Sequence, residues 1–279
     1  MEANPAIGVV GAGLIGGSIA LAASEKGCPV ALYDLKPPSE DVVPPAIAVM
    51  PDLNSLNACS QLIFLATPLD VLPMVAKELS KTLRPGVIIS DVASVKGTLA
   101  RDLAKVFAGR ADYVPSHPMA GSERSGWAAA QASLFQRSTS IVCPEFTTTE
   151  RSVETVEAFW ELLGARSLRM SVVEHDRAVA AVSHLPHALA AVLSAFIGET
   201  VPEALAVVGP GFRSVTRIAA GSPPLWADIL LSNRQALAEH LRHYQVGLEH
   251  LAQALEAGDR KYLQGLLDVA KRNRDTLDL

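Results

Sequence analysis

The segment 112–126, DYVPSHPMAGSERSG, places His117 among polar residues directly after a run that predicts a buried strand. Imidazole is the side chain whose ordinary pKa lies nearest neutrality, so it suits proton transfer at physiological pH. At the end of a strand, such a histidine is suited to take a proton from an alcohol while a hydride leaves the neighbouring carbon. A lone histidine after a strand is more often structural, and the polar neighbours favour the catalytic interpretation here.

A glycine-rich motif near the N-terminus predicts a dinucleotide site. GAGLIG, at 11–16, follows an apolar run and opens a segment with helical spacing. Gly11 permits a tight turn, Gly13 lets the backbone approach a pyrophosphate, and Gly16 lets helix and strand pack closely. The helix N-terminus offers free N–H groups to the phosphate, although a glycine turn without a ligand is the alternative reading. The other candidate cofactor-binding residues are Leu14, Ile15, Thr67 and Pro68.

Asp34 stands at the end of the second predicted strand, about twenty residues after the glycine motif. A carboxylate there accepts hydrogen bonds from both ribose hydroxyls and repels a 2′-phosphate. The sequence therefore predicts NAD rather than NADP as cofactor, a preference that the nearby Lys36 weakens.

Alternating strand and helix signals in the first half of the chain position these residues. Near-continuous apolar strands separated by helical segments predict a parallel sheet covered on both faces. Ligands of such sheets lie at the carboxyl ends of the strands, which would bring the glycine turn, Ser94 and His117 to one edge. The predicted strands are 6–10, 29–34, 62–67, 86–92 and 111–116, with edge strands at 139–144 and 167–171 around a helix at 149–163. Proline-rich 36–52 predicts a short irregular connection in place of a crossover helix.

From about residue 171 the strand signals stop and helical signals continue to the end. An apolar seven-residue repeat comprises Leu230, Leu237, Tyr244 and Leu251, with Leu241, Leu248 and Leu255 four residues after members of that series. The repeat fits a long helix packed in its own bundle or a helix shared with a second subunit. We predict an α/β protein: a Rossmann-type doubly wound sheet over 1–170, then an all-helical substrate and dimerisation domain over 171–279.

Composition limits the function classes. The chain has 279 residues and a formal net charge of −5 without a basic tract, which argues against nucleic acid as the partner. Its three cysteines form no CxxC pair and no metal-ligand cluster is evident, so a reducing cytoplasm fits better than a disulfide framework or zinc site. No positive region precedes the first apolar run, so no signal peptide is predicted. The apolar stretch 178–198 carries two histidines and a proline, which favours a buried or interface helix over a membrane span.

Five motifs together resemble the prephenate and arogenate dehydrogenases of tyrosine biosynthesis. They are GVVGAGLIGGSIA, DVASVKG, SHPMAGSERSG, VSHLPHALA and GFRSVTRIAAGSPPLWADI, and they run in the family's order from residue 7 to about residue 230. The resemblance implies NAD-dependent oxidative decarboxylation of a cyclohexadienyl substrate. Prephenate is the expected substrate because Glu123 and His187 look like the prephenate-using branch. Arogenate and a 4-amino analogue of prephenate stay open.

The resemblance also implies residue roles. His117 matches the family's catalytic histidine, Ser94 a serine that orients it and the substrate hydroxyl, and Arg217 an arginine that binds a substrate carboxylate. The other expected substrate-binding residues are Glu123, Ser183, His184, His187 and Trp226, and His175 looks like a helix-borne histidine near the site. Structural alternatives are a surface ion pair for Arg217 and satisfied core histidines at 184 and 187. Ser214 stands where the family commonly has aspartate, which bears on the identity of the substrate.

Two other functions compete with this one. β-Hydroxyacid dehydrogenases and imine reductases share the two-domain plan, but the SHLPH and TRIA segments do not fit them. A redox sensor or scaffold that binds NAD without turnover would carry the same glycine motif. Formation of NADH from NAD and prephenate separates the sensor from the enzyme.

Overall fold

In the computed structural model, which describes residues 4–122, 124–147 and 149–278, the first half of the chain is built on a six-stranded parallel sheet. Its strands are β1 (Ile7–Val10), β2 (Val30–Tyr33), β3 (Ile47–Val49), β4 (Leu62–Leu65), β5 (Ile88–Asp91) and β6 (Asp112–Tyr113). They lie in the order β3-β2-β1-β4-β5-β6, and all neighbours run parallel. The order reverses between β1 and β4, which is where ligands bind in folds of this kind. The predicted Rossmann-type sheet is confirmed.

Both faces of this sheet are covered, which explains why its central strands β1, β2 and β4 are almost entirely apolar. Along β4, Leu62 and Phe64 belong to one apolar core, and Ile63 and Leu65 belong to the other. The helices that connect the strands are α1 (Leu14–Glu25), α2 (Leu53–Cys59), α3 (Leu72–Leu79) and α4 (Gly97–Phe107).

The proline-rich connection holds a strand that the sequence pattern did not predict. It contains a short 3-10 turn at Glu40–Val42, as expected for an irregular connection, and then β3 at the edge of the sheet. A three-residue edge strand buries little side-chain surface, so it leaves hardly any periodic signal among the prolines.

Three further strands form a separate sheet, contrary to the prediction that they extend the first. They are β7 (Ser116–Pro118), β8 (Thr139–Val142) and β9 (Arg166–Arg169), with β7 antiparallel and β9 parallel to β8. The predicted strand 111–116 is therefore divided: β6 ends at Tyr113 and β7 begins at Ser116. Pro115 lies between them and has no N–H to continue the ladder. The predicted helix before β9 is present as α5 (Glu150–Leu162).

From Val172 onward the described chain is helical. The helices are α6 (Val172–Val179), α7 (Leu185–Thr200), α8 (Pro210–Thr216), α9 (Pro223–Ser232), α10 (Arg234–Glu256) and α11 (Arg260–Asp275), and a π-helical turn, Ala180–His184, joins α6 to α7. The described residues up to Asn233 form one compact unit and those from Arg234 onward form another. The boundary at residue 170 marks the change from strands to helices and stays a prediction.

The apolar seven-residue repeat does not lie on one continuous helix. Leu230 belongs to α9, which ends at Ser232, and the other repeat residues belong to α10. On α10, Tyr244 and Leu248 are 43% and 49% exposed, so within one copy of the chain these side chains of the repeat are accessible to solvent.

The helical run Val172–Thr200 is long and apolar enough, by length and composition, to cross a membrane. A single such helix is weak evidence for a membrane span. This one carries three buried histidines, His175, His184 and His187, and ionisable groups of that kind are rare at bilayer depth.

Candidate active site

His117 lies inside β7, opposite Ile141 of β8, and not directly after a parallel strand as the sequence predicted. The chain leaves the main sheet after Tyr113 and enters the second sheet. A side-chain contact nevertheless ties β7 to the carboxyl end of β5. The Ser116 hydroxyl lies 2.8 Å from the Ser90 hydroxyl and donates to the Asp91 carbonyl at 3.1 Å. His117 is thus held beside the sheet edge where the cofactor was predicted.

A chain of two hydrogen bonds runs from His117 to a carboxylate. Nδ1 of His117 lies 2.9 Å from Nε2 of His175, and Nδ1 of His175 lies 2.8 Å from Oδ1 of Asp176. The two imidazole rings meet edge to face, with centroids 5.1 Å apart. Both oxygens of Asp176 also accept backbone N–H groups at the start of α4, from Lys96 and Gly97, at 2.8 Å each. The sequence suggested His175 only as a neighbour and gave no sign of Asp176.

The pKa shifts of these three groups keep His117 and His175 neutral and Asp176 charged near neutral pH. Burial lowers the pKa of His117 well below its usual range, and His175, Lys96 and His184 add to this effect. Burial also lowers the pKa of His175, against the opposing influence of Asp176. For Asp176, burial tends to raise the pKa, but hydrogen bonds from His175 and the two backbone amides outweigh it and lower the pKa overall.

A fully buried ion pair, Lys96 with Asp91, lies near His117 and His175. Nζ of Lys96 lies 2.5 Å from Oδ1 of Asp91, and the hydroxyl of Tyr113 donates to Oδ2 of Asp91 at 2.6 Å. Burial raises the pKa of Tyr113 well above its usual range, and Asp91 adds to the shift. The sequence analysis missed this cluster, although Lys96 belongs to the quoted DVASVKG motif. Its positive charge helps to keep the nearby imidazoles neutral.

Ser94 is half-buried on the loop between β5 and α4. Among the described residues, no hydrogen bond joins its hydroxyl to His117, whose Nδ1 contacts His175 instead. The predicted orientation of His117 by Ser94 therefore finds no direct contact here. A contact between Ser94 and a substrate hydroxyl stays a prediction.

The π-helical turn and the start of α7 present two further histidines. His184 is buried, and its Nδ1 lies 3.2 Å from the amide nitrogen of Asn233, which donates to the Asp176 carbonyl at 2.7 Å. His187 is stacked on Trp226, with ring centroids 3.4 Å apart. Burial lowers the pKa of His184 to about 4 and lowers the pKa of His187. Nε2 of His184 and Nδ1 of His187 are buried without a hydrogen-bond partner among the described residues, as expected for groups that meet a polar ligand.

Two further predicted substrate residues lie on the helical segments that follow α6. Ser183 is half-buried within the π-helical turn, and Arg217 is exposed at the start of a 3-10 turn, Arg217–Ala220. Gly221, which ends that turn, lies against the His187–Trp226 stack, so the TRIA segment is brought to this wall of the site. Glu123 lies outside the described residues.

The glycine turn has the shape of a dinucleotide cradle. Gly11 has φ +106°, and a Cβ there would lie 2.6 Å from the Ala66 carbonyl oxygen. A Cβ at Gly16 would lie 1.9 Å from the Gly11 carbonyl oxygen, whereas Gly13 has nothing within 4 Å of that position. The turn is therefore closed towards β4 and open at Gly13, where a pyrophosphate could approach the backbone.

The other cofactor candidates surround this turn. Asp34 accepts the Ala12 N–H at 2.6 Å and the Lys36 N–H at 2.8 Å, so it braces the turn. Each carboxylate oxygen has a second lone-pair site and can also accept a ribose hydroxyl. Leu14 and Ile15 begin α1. The Thr67 hydroxyl, on the loop before Pro68, is buried without a partner among the described residues, which fits a polar ligand at this edge.

Family models of known proteins match both halves of the chain. The family model for the prephenate dehydrogenase nucleotide-binding domain matches residues 43–169, and the one for the prephenate dehydrogenase dimerization domain matches residues 171–269. The chain is 33% identical to a cyclohexadienyl dehydrogenase of Zymomonas mobilis, over 92% of this chain and 90% of that protein. It is 30% identical to a prephenate dehydrogenase of Bacillus subtilis, over 97% of this chain and 76% of that protein.

A solved structure extends the likeness to three dimensions. The crystal structure of prephenate dehydrogenase from A. aeolicus in complex with hydroxyphenyl propionate and NAD+ has a TM-score of 0.87 and 29% sequence identity to this chain. The match covers 98% of each chain.

Proposed function

The chain belongs to the prephenate dehydrogenase family, and from that premise we propose that it oxidises and decarboxylates prephenate to 4-hydroxyphenylpyruvate, with His117 as the base. The predicted family and the predicted class of NAD-dependent dehydrogenase are confirmed. The observation that carries the role of His117 is its buried contact with His175, which in turn contacts Asp176. This arrangement leaves Nε2 as the ring nitrogen of His117 available to a substrate.

The substrate's own structure explains why few protein groups are needed. Prephenate is a cyclohexadiene with a carboxylate and a hydroxyl on opposite ring carbons. Loss of a hydride from the carbinol carbon and of a proton from its hydroxyl creates a carbonyl conjugated with the ring. The electron pair of the ring–carboxylate bond then moves through the ring onto the carbonyl oxygen, carbon dioxide leaves, and that oxygen takes back the proton that the base removed, which gives the phenol. Aromatisation drives the second step.

The chain's residues fit the cofactor that this reaction requires. The turn from Gly11 to Gly16 would hold the pyrophosphate, Asp34 the ribose, and Thr67 a further polar group at the same edge. When bound, NAD supplies the acceptor for the hydride.

His117 has the properties of a base that works near neutral pH. Its pKa lies well below the usual range, so the ring is unprotonated before the reaction. Its Nδ1 is held by His175, so the ring is oriented before substrate binds. In the proposed mechanism Nε2 accepts the carbinol proton, and positioning of this kind is a main source of rate enhancement.

The proposed substrate contacts follow the family resemblance. Arg217 binds a substrate carboxylate through charge-assisted hydrogen bonds, for which a guanidinium is well suited. Ser94 contacts the ring hydroxyl. The remaining proposed substrate-binding residues are Glu123, Ser183, His184, His187 and Trp226.

We further propose that the protein is a cytoplasmic homodimer. The family model that matches 171–269 is that of a dimerization domain. In the same region, helices α7, α8 and α9 expose large apolar side chains: Val192, Phe196, Val215 and Leu231 are 50–66% exposed. A second copy of the chain would remove this apolar surface from water. Sedimentation equilibrium measures the assembly directly.

Two relatives of prephenate are alternative substrates. The Zymomonas mobilis relative is named for cyclohexadienyl compounds as a class, which favours testing arogenate and the 4-amino analogue beside prephenate. The decisive experiment measures kcat/KM for the three compounds with NAD, using NADH absorbance. A clear preference for prephenate supports the proposal, and the absence of turnover with all three supports an NAD-binding sensor.

A further inference from the structure

We propose that His175 and Asp176 are positioning residues that act through His117 by setting which of its ring nitrogens carries the hydrogen. This inference rests on the proposed function, because it takes His117 as the base. It assigns a specific task to two residues on α6, neither of which the resemblance placed in the reaction.

The argument begins at Asp176. Its two oxygens accept the Lys96 and Gly97 N–H groups at the start of α4, each at 2.8 Å. The first N–H groups of a helix have no partner within the helix and favour a negative charge. The carboxylate is thereby fixed in place and ionised, and an ionised carboxylate only accepts hydrogen bonds.

The next step concerns His175. Its Nδ1 lies 2.8 Å from Asp176 Oδ1, so this nitrogen must carry a hydrogen and donate it. Burial lowers the pKa of His175, which is therefore neutral and carries one ring hydrogen. Its Nε2 is consequently an acceptor.

The last step reaches His117. Its Nδ1 lies 2.9 Å from the accepting Nε2 of His175, so Nδ1 of His117 is the donor. Since His117 is also neutral, its Nε2 carries a lone pair and no hydrogen. Nε2 is then in the form required to take the carbinol proton. The opposite tautomer would present an N–H to the substrate hydroxyl and could not accept that proton.

The same two hydrogen bonds support the charged state that His117 adopts after proton transfer. Once protonated, His117 still donates from Nδ1 to His175, whose far side faces the Asp176 carboxylate. The other ionisable groups around His117 are Lys96, which is paired with Asp91, and His184. Asp176 therefore lies on the side of His117 from which a carboxylate can stabilise an imidazolium, as in other histidine bases backed by aspartate.

The tautomer can be read without turnover. Nitrogen-15 NMR of histidine-labelled protein at about pH 8, with His117 assigned from the spectrum of His117→Asn, distinguishes protonated Nδ1 from protonated Nε2. We expect His117 in the wild-type protein to carry its hydrogen on Nδ1. A predominant Nε2–H form would overturn the proposal, whatever the activity of any variant.

Two substitutions at one position test the consequence for catalysis. His175→Leu removes the acceptor, whereas His175→Gln can accept from His117 through Oε1 and donate to Asp176 through Nε2. We expect His175→Leu to lower kcat about a hundredfold, the scale of general base catalysis, with KM for prephenate changed less than about threefold. His175→Gln should recover at least about tenfold. Near-normal kcat in the leucine variant, or no recovery in the glutamine variant, would count against the inference.

Asp176→Asn has a matched control. Asp52 also accepts an N–H at the start of a helix, from Ser55 at 2.7 Å, and within the described part of the chain no hydrogen bond links its side chain to a histidine. Both Asp176→Asn and Asp52→Asn weaken a helix start, but only the first should lower kcat, by roughly tenfold or more. Equal kcat in the two variants would contradict the role of Asp176. If instead His117→Asn itself keeps near-normal kcat, the proposed function of His117 fails independently.

Discussion

His187 and Trp226 form a stacked pair whose ring planes are 13° apart, and Gly221 lies against the edge of that pair. A Cβ added at Gly221 would lie 2.6 Å from Trp226 Nε1 and 3.2 Å from His187 Cε1. The two aromatic rings come from different helices, α7 and α9. Because Gly221 has no side chain, the backbone after the Arg217–Ala220 turn can lie directly against both rings.

Gly221→Ala should disturb this wall of the proposed substrate site. The backbone at Gly221 is ordinary, with φ −62°, so the effect comes from steric contact and not from strain. We expect KM for prephenate to rise about tenfold, with NAD affinity unchanged because the glycine turn is remote in sequence and untouched. Steady-state kinetics and NAD titration measure both. Gly211→Ala is the control, since a Cβ there meets nothing within 4 Å, and an equal effect at Gly211 would refute the steric explanation.

His117→Asn should lower kcat about a hundredfold or more, because asparagine cannot usefully accept the carbinol proton. NAD affinity should hardly change. Circular dichroism and a thermal melt separate a chemical effect from a loss of fold. A folded variant with near-normal kcat would return His117 to a structural role and favour Ser94 with an ordered water as the proton path.

The pH dependence of kcat/KM should have its acid limb below the ordinary histidine pKa of about 6.5. His117 must be unprotonated to act, and burial lowers its pKa well below that value. Activity should therefore persist as the pH falls through about 6.5 and decline only as the pH approaches the lowered pKa. A histidine with an unshifted pKa would place this limb at about 6.5. A measured limb at or above 6.5 would show that the burial of His117 does not govern its titration.

Folding stability should decrease on acidification below about pH 6.5. The pKa values of His117, His175, His184 and His187 are all lowered in the folded chain, that of His184 to about 4. Below the unfolded pKa of about 6.5, the unfolded chain binds more protons than the folded chain. The stability present above about 6.5 is therefore lost progressively as the pH falls. Urea unfolding at about pH 7.5 and pH 5 measures the change, and His184→Gln should reduce it.

Asp34→Ser should raise the use of NADP relative to NAD. Serine removes the negative charge that repels a 2′-phosphate, and it also removes the brace on the Ala12 N–H. We therefore expect kcat/KM with NAD to fall while kcat/KM with NADP rises or is retained. Asp41→Ser, on the exposed turn after β2, controls for the loss of a surface carboxylate. A wild-type protein that already prefers NADP would refute the role of Asp34.

Arg217→Ala should raise KM for prephenate strongly and leave NAD affinity nearly unchanged, because the proposed carboxylate contact of Arg217 is with the substrate and not with the cofactor. Arg217→Lys should restore only part of the affinity, since a point charge does not replace a bidentate fork. Isothermal titration with each ligand separates the two effects. An unchanged KM in the alanine variant would remove Arg217 from the site.

The amino-acid sequence by itself determined the features that depend on local spacing. The glycine turn, Asp34 at the end of β2, the apolar strands of the main sheet and the change to helices after residue 170 all follow from residue type and period. Such features are set by backbone conformation and burial over a few neighbouring residues, so the order of residues in the sequence is enough to predict them.

Only the tertiary structure decided how distant residues meet. It placed β7 in a separate sheet, ended α9 at Ser232, and joined His117 to His175 across 58 positions of sequence. Asp176 received its role because the start of α4 lies against α6, 79 residues away along the chain at Gly97. Hydrogen bonds of this kind depend on angles and separations between packed elements to within fractions of an ångström, and residue spacing along the chain carries no record of them.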